Sequence, residues 1–241
     1  MTRYVGTSGW QYKDWRGAFY PAGCPTRLWL EEYAAHFPTV EINNAFYRLP
    51  SRENFEAWRE RVPADFVVAV KASRYLTHIK RLKDPEEPVH RLMTHAEGLG
   101  ARLGPVLLQL PPTLKADAAL LDSCLACFPP GTRVAVEPRH ESWWTPEIRE
   151  VLESRSAALC WADVRAHPVT PLWRTTDWGY VRFHEGRAKD WPRYGRRSLE
   201  TWAARLRDTW SAEDDVYGYF NNDPNAAAVQ DAEVFEGLVH R

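Results

Sequence analysis

Polar side chains, ionisable in six of the seven cases, stand at the ends of seven short apolar runs in this sequence, where a charge needs either a partner or a ligand. Glu41 and Asn43 alternate in TVEINN (39–44), and Lys71 closes FVVAVK (66–71). Gln109 lies in PVLLQL (105–110), and Glu137 and Arg139 alternate in VAVEPR (134–139). Trp161 and Asp163 alternate in CWAD (160–163), Tyr180, Arg182 and His184 in YVRFH (180–184), and FNND (220–223) brings Asn221, Asn222 and Asp223. Strand side chains alternate faces with period two, so each alternating set shares one face. An isolated buried charge costs several kcal/mol, so these groups are expected to meet one another or a ligand.

The charge balance says what ligand. The carboxylates are Glu41, Glu137, Asp163 and Asp223; the cations are Lys71, Arg74, Arg139, Arg165 and Arg182, with His78, His140 and His184 beside them. Positive groups match or exceed negative ones, which suits an anion. A metal needs spare carboxylates and imidazoles, and here arginine and lysine compete for them. A divalent metal is therefore disfavoured, with Glu41, Glu137, His184 and Asp223 the one set that could hold an ion. No G-x-G-x-x-G and no P-loop occurs, so no cofactor is evident.

The runs themselves must position these groups. Eight β-prone stretches occur: 3–8, 39–43, 66–72, 105–110, 133–137, 157–163, 179–184 and 215–220. Helical periodicity fills most of the gaps, at 27–37, 52–61, 88–103, 118–128, 146–154, 199–210 and 226–239. The gap 165–177 holds Pro168 and Pro171 and lacks that period. Alternating strands and helices imply a parallel sheet, and eight units imply a closed parallel (β/α)8 barrel of the TIM type, its sixth helix reduced or absent. The chemistry then belongs at the C-terminal ends of the strands.

The 241 residues, 26% charged and with net charge -1, fit one barrel domain spanning 1–241 and exclude a polycation. No stretch approaches a membrane span, and Met1 to Trp10 lacks the apolar core of an export signal, so a cytoplasmic location is expected. Cys124 and Cys127 form a CxxC within an apolar helical pattern and read as helix residues, not as a zinc half-site.

Two loops are basic. The one after the third strand carries Arg74, His78, Lys80, Arg81 and Lys83; the one after the seventh carries Arg187, Lys189, Arg193, Arg196 and Arg197 around Trp191 and Tyr194. Basic residues interleaved with aromatics suit nucleic acid. The loop Gly9–Thr26 is aromatic, with Trp10, Tyr12, Trp15, Phe19 and Tyr20, and reads either as a lid over a ring-shaped substrate or as a plug.

GTSGWQYKDWRGAFYP (6–21), EINNAFYRLP (41–50), VKASRYLTH (70–78), LGPVLLQLPP (103–112), VAVEPRHESWW (134–144), YVRFH (180–184) and YFNND (219–223) follow one another in order. On these motifs the chain resembles the YecE-like family, domain-of-unknown-function family number 72, over nearly its whole length. The resemblance implies a TIM-barrel-like fold and no settled activity. The family's usual His-Gly after the seventh strand is here His184-Glu185-Gly186. The last loop departs too, with Asn225-Ala226 and Asp231-Ala232.

The leading functional expectation is an enzyme, a hydrolase or a lyase, acting on a small phosphate-bearing anion such as a nucleotide, nucleic acid or sugar phosphate. Lys71, Arg139 and Arg182 hold the anion, with Arg74, His78, Gln109, His140, Asp163, Asn221, Asn222 and Trp10 around the substrate. Glu137 serves as base or nucleophile, and His184 or His78 as proton donor. One alternative is a glycoside hydrolase using Glu41 and Glu137, which requires two carboxylates about 5–9.5 Å apart. Another is a non-catalytic binder of nucleic acid or nucleotide.

Overall fold

The structure, a computed structural model, describes residues 3–240. Its strands are β1 (Arg3–Ser8), β2 (Thr39–Ile42), β3 (Val67–Lys71), β4 (Leu103–Gln109), β5 (Val134–Glu137), β6 (Ala158–Leu159), β7 (Trp161–Val164), β8 (His167–Pro168), β9 (Gly179–Glu185) and β10 (Val216–Phe220). The α-helices are α1 (Trp29–Ala34), α2 (Asn44–Tyr47), α3 (Arg52–Arg59), α4 (Glu86–Ala96), α5 (Ala118–Ala126), α6 (Pro146–Ser154), α7 (Arg196–Thr209) and α8 (Ala227–Val239). Local signals start three of them. Ser51, Asp117 and Thr145 accept hydrogen bonds from the first-turn N–H groups of α3, α5 and α6, and Pro146 opens α6.

The closed eight-stranded parallel barrel is not what forms. The hydrogen-bonded sheet is open and ten-stranded, in the order β6-β5-β4-β3-β2-β1-β10-β9-β7-β8. It is also mixed, because β7 and β8 pair antiparallel while the other pairings are parallel. The cause lies in the sixth run, which breaks at Cys160. Ala158–Leu159 stays with β5 and Trp161–Val164 goes to β9. Threonine side chains take ladder positions at the break: Leu159 N–H donates to Thr175 Oγ1 at 2.9 Å and Ala162 N–H to Thr170 Oγ1 at 3.0 Å. Both threonines come from the stretch 165–177, which carries no helix. The chain instead doubles back through Arg165 and Ala166, with φ of 56° and 62°. Two successive positive φ values are the geometry of a type I′ hairpin, and Pro168 suits the sheet edge where it sits.

Period-two alternation separates two apolar clusters. Val68, Val70, Val106, Leu108, Val134, Val136, Val181 and Phe183 pack under helix residues such as Leu92, Leu121, Leu152 and Trp202. Ala69, Leu107, Ala135, Ala158, Cys160, Tyr180, Tyr217 and Tyr219 fill the concave side together with Trp178. Continuing that inner parity past the last apolar residue of each strand gives Lys71, Gln109, Glu137 and Arg182.

The aromatic first loop is a plug. Trp15 and Tyr20 are fully buried, Tyr20 stacks on Trp29 at 4.6 Å and its hydroxyl donates to the Trp10 carbonyl at 2.6 Å. Trp15 Nε1 donates to the Asp223 carbonyl at 3.0 Å, which ties this loop to the end of β10.

Candidate functional site

Strand register fixes the site. Ser8 lies beside Glu41 across β1 and β2, and Gln109 beside Glu137 across β4 and β5. From β9, Arg182 crosses the concave face to reach both carboxylates. Its Nη1 donates to Glu137 Oε2 at 2.7 Å and its Nη2 to Glu41 Oε1 at 2.8 Å. The remaining carboxylate lone pairs are also taken. Glu41 accepts from Ser8 Oγ at 2.6 Å and from the Tyr180 hydroxyl at 2.6 Å. Glu137 Oε1 accepts from His184 Nε2 at 2.8 Å and is ion-paired with Arg139 Nη2 at 2.8 Å. Glu41 and Glu137 have no exposed surface, and Arg182 has 1%.

This geometry decides protonation. Burial alone would raise the Glu137 carboxyl, but Arg182, His184 and Arg139 outweigh it and hold it well below the usual range. Burial lowers His184, with Arg182 and Arg139 pushing the same way against the pull of Glu137. A neutral His184 that donates from Nε2 to Glu137 leaves Nδ1 to accept from Asn221 Nδ2 at 3.1 Å. Asn221 in turn meets Asn43 at 3.5 Å.

Lys71 behaves differently. Its ammonium sits 4.3 Å over the Phe46 ring and, among the described residues, forms no ion pair with a carboxylate. Burial first, then the nearby Arg182, bring its pKa down to about 8. His78 packs edge-on against the same Phe46 ring at 4.9 Å, and its Nδ1 meets Thr77 Oγ1 at 2.9 Å. Burial lowers His78, helped by Lys71, Arg74 and Arg81. Asp223 goes the other way: burial raises it to about 7, and its Oδ1 lacks a hydrogen-bond partner.

The expected residues therefore divide. Glu41, Glu137, Arg139, Arg182, His184 and Asn221 form one connected network, and Lys71 lies beside it. Gln109 is half-buried and donates to the Leu110 carbonyl at 3.1 Å, and Arg74 is exposed next to His78. His140 Nδ1 accepts from Ser142 N–H and borders a hollow with Arg139 and Trp144. Trp10 is buried against Trp58 and lines a cavity of about 250 Å³ with Gly9, Gln11, Tyr12, Asn43, Asn44 and Tyr47.

Two residues face away. Asp163 points to the helix layer, accepting from Tyr194 at 2.6 Å and from Trp202 Nε1, on α7, at 2.8 Å. Asn222 donates to the Pro192 carbonyl at 3.1 Å and to Asp231, on α8, at 2.8 Å. For β7 the wrong parity had been given the site: Cys160 lines the concave side, and Trp161 packs on Trp202 and Trp210. Ser8 and Phe46 are site residues that the sequence pattern does not single out, although Ser8 carries a signal, since it shares the inner parity of its strand.

Three of the basic-loop side chains, Lys80, Arg193 and Arg196, are paired with carboxylates. Lys80 pairs with Asp84, Arg81 with Thr113, Arg187 with His167, Arg193 with Asp231 and Arg196 with Glu200. Among the described residues no group of three or more His, Cys, Asp or Glu side chains is arranged to hold a metal, and no helix is long and apolar enough to cross a membrane.

Fold and site together define an α/β protein with a curled, mostly parallel sheet and a buried Glu–Arg–Glu bridge at the C-terminal strand ends. The chain belongs to the family described as Protein of unknown function DUF72, whose profile matches residues 4–241. It is 26% identical over 270 residues to UPF0759 protein YunF of Bacillus subtilis, covering 95% of this chain and 92% of that protein. It is 31% identical over 142 residues to UPF0759 protein YecE of Escherichia coli, a match that covers 58% of this chain and 50% of the relative. A crystal structure of a DUF72 family protein from Thermotoga maritima superposes with a TM-score of 0.85 at 29% identity over 100% of both chains. A DUF72 family protein from Enterococcus faecalis superposes with a TM-score of 0.81 at 19% identity, over 100% of this chain and 96% of that one.

Proposed function

We propose that this protein is an enzyme whose site takes a small phosphate-bearing anion beside Lys71. The observation that carries this reading is the unpaired ammonium. Glu41 and Glu137 are matched by Arg182 and Arg139, so Lys71 is the cation left over. Asp223, with its raised carboxyl, does not fully cancel that charge near neutral pH. Arg74 and Arg81 extend the positive region around His78. A half-buried, uncompensated positive charge attracts an anion more strongly than a surface lysine does.

The carboxylates take positioning roles in this reading. A glycoside hydrolase using Glu41 and Glu137 needs one of the two protonated near neutral pH, and Glu137 is held low while sharing one guanidinium with Glu41.

Sulfate, whose charge is constant across the range, is the probe. Calorimetry is expected to show binding at pH 6.5 that fades as Lys71 loses its proton near pH 8, with Asp223 gaining charge near pH 7 and acting in the same direction. Lys71→Met should weaken sulfate by roughly 10- to 100-fold, the scale of one lost charge-assisted hydrogen bond. A sulfate affinity that is flat with pH, or unchanged in Lys71→Met, would sink the proposal.

A further inference from the structure

We propose that Lys71 is a covalent nucleophile, condensing with the carbonyl carbon of a phosphate-bearing aldehyde or ketone to give an imine. This deepens the reading above and rests on it for the anion. Six lysines are present: Lys13, Lys71, Lys80, Lys83, Lys115 and Lys189. Lys71 alone ends a strand on the concave face; Lys13, Lys83, Lys115 and Lys189 are exposed, and Lys80 is paired with Asp84 at 3.3 Å. Its nitrogen rests 4.3 Å over an aromatic face, and the carboxylates that would otherwise hold it as ammonium are bonded to Arg182. A lysine that is desolvated and set beside another cation is an activated amine. With its pKa near 8, roughly a tenth of Lys71 is neutral at pH 7, against about one part in a few thousand for an ordinary lysine.

Imine formation needs one group that takes a proton and returns it, and His78 meets the requirement. It faces the same Phe46 ring, its Nδ1 is held by Thr77, and its Nε2 has no hydrogen-bond partner among the described residues. Lys71, Arg74 and Arg81 help keep it neutral and ready to accept. The ammonium of Lys71 gives one proton to His78. The freed lone pair bonds to the carbonyl carbon as the C=O π pair moves to oxygen. A second proton passes from nitrogen to that oxygen and gives the carbinolamine. His78 returns its proton to the hydroxyl, the C–O bond breaks, water leaves and the nitrogen lone pair closes the C=N bond. Ammonium and carbonyl thus become iminium and water, with no oxidant or reductant consumed. Arg74, exposed beside His78, is placed to meet the phosphate as it approaches.

The test is reductive trapping on the full chain. The protein is incubated with glyceraldehyde 3-phosphate or with unphosphorylated glyceraldehyde, reduced with cyanoborohydride and mapped by peptide mass spectrometry. The phosphorylated aldehyde is expected to label Lys71 at least about 10-fold faster than any of the other five lysines and faster than glyceraldehyde labels it, an advantage over glyceraldehyde that sulfate suppresses. Lys71→Arg should keep sulfate binding and yield no adduct above that of the surface lysines, whereas His78→Gln should slow labelling of Lys71 by more than it changes sulfate affinity. Sulfate binding with labelling spread evenly over the six lysines overturns the imine and leaves the anion site standing. Equal labelling of Lys71 by both aldehydes overturns the phosphate-bearing substrate class. Absence of sulfate binding at pH 6.5 in the wild type overturns the anion site itself.

Discussion

Arg182→Leu is expected to destabilise this protein more than any other single change in the site. Two fully buried carboxylates lose their shared counter-charge at once. Removing one partner of a buried pair typically costs about 3–5 kcal/mol, and here both pairs lose the same partner. Glu41 would keep only the neutral donors Ser8 and Tyr180. The pH dependence is the distinguishing sign. A carboxyl buried without a counter-charge binds its proton more tightly in the folded state than in the unfolded one. Stability of the variant should therefore rise as pH falls from 8 to 5. Chemical denaturation at several pH values reads this directly. Adding Glu41→Gln and Glu137→Gln to Arg182→Leu should recover much of the loss, because a neutral cluster has no uncompensated charge to bury. A variant as stable as wild type at pH 8 would show that the bridge is not what the fold depends on.

Glu137→Gln separates a structural role from a catalytic one. Arg139, Arg182 and His184 all bond to this carboxylate, so a neutral amide should cost about 3–5 kcal/mol at pH 7. For a chain of this length that corresponds to a fall in melting temperature of roughly 6–20 °C. In wild type the Glu137 carboxyl sits below its unfolded value, so its contribution is full above about pH 4.5 and is lost as pH falls through the lower, folded value. The gap between mutant and wild type should accordingly be wide at pH 7 and narrow below pH 4. The folded mutant should also bind sulfate at least as tightly as wild type, since one negative charge has gone. A mutant that melts like wild type, yet loses turnover once a substrate is known, would return Glu137 to the role of general base.

Most strand positions were legible because their signal is local: apolar runs on an inner and outer parity, ending in charge. The same parity correctly grouped Glu41, Lys71, Glu137, Arg182 and His184. It failed at Asp163 because both faces of the sixth run are buried and look alike in sequence: Trp161 and Asp163 on one side, Ala158 and Cys160 on the other. A buried carboxylate at a strand end was taken for a site residue, whereas Tyr194 and Trp202 anchor it to the helix layer. The open sheet was invisible for another reason. Eight runs were counted, but the break at Cys160 depends on Thr170 and Thr175 reaching backbone groups from far along the chain. The hairpin turn uses Arg165-Ala166, a pair with none of the glycine or asparagine that normally announces such a turn. Nor could composition reveal how fully Glu137 is bonded, since that depends on Arg182 and His184 reaching it from another strand.

The break in the sixth run also furnishes an internal chemical clock. Cys160 is the residue between the strand segment that pairs with β5 and the one that pairs with β9, and its thiol is fully buried on the concave side. Burial pushes that thiol well above its ordinary acidity range, so a maleimide reaches a reactive thiolate there only after the two strand segments part. Cys24 and Cys127 are partly exposed and give the baseline rate of an accessible thiol, while Cys124 lies buried in α5, away from the break. The lag of Cys160 behind the first pair measures how rarely the sheet parts at this line, and its lag relative to Cys124 tells local parting from general unfolding.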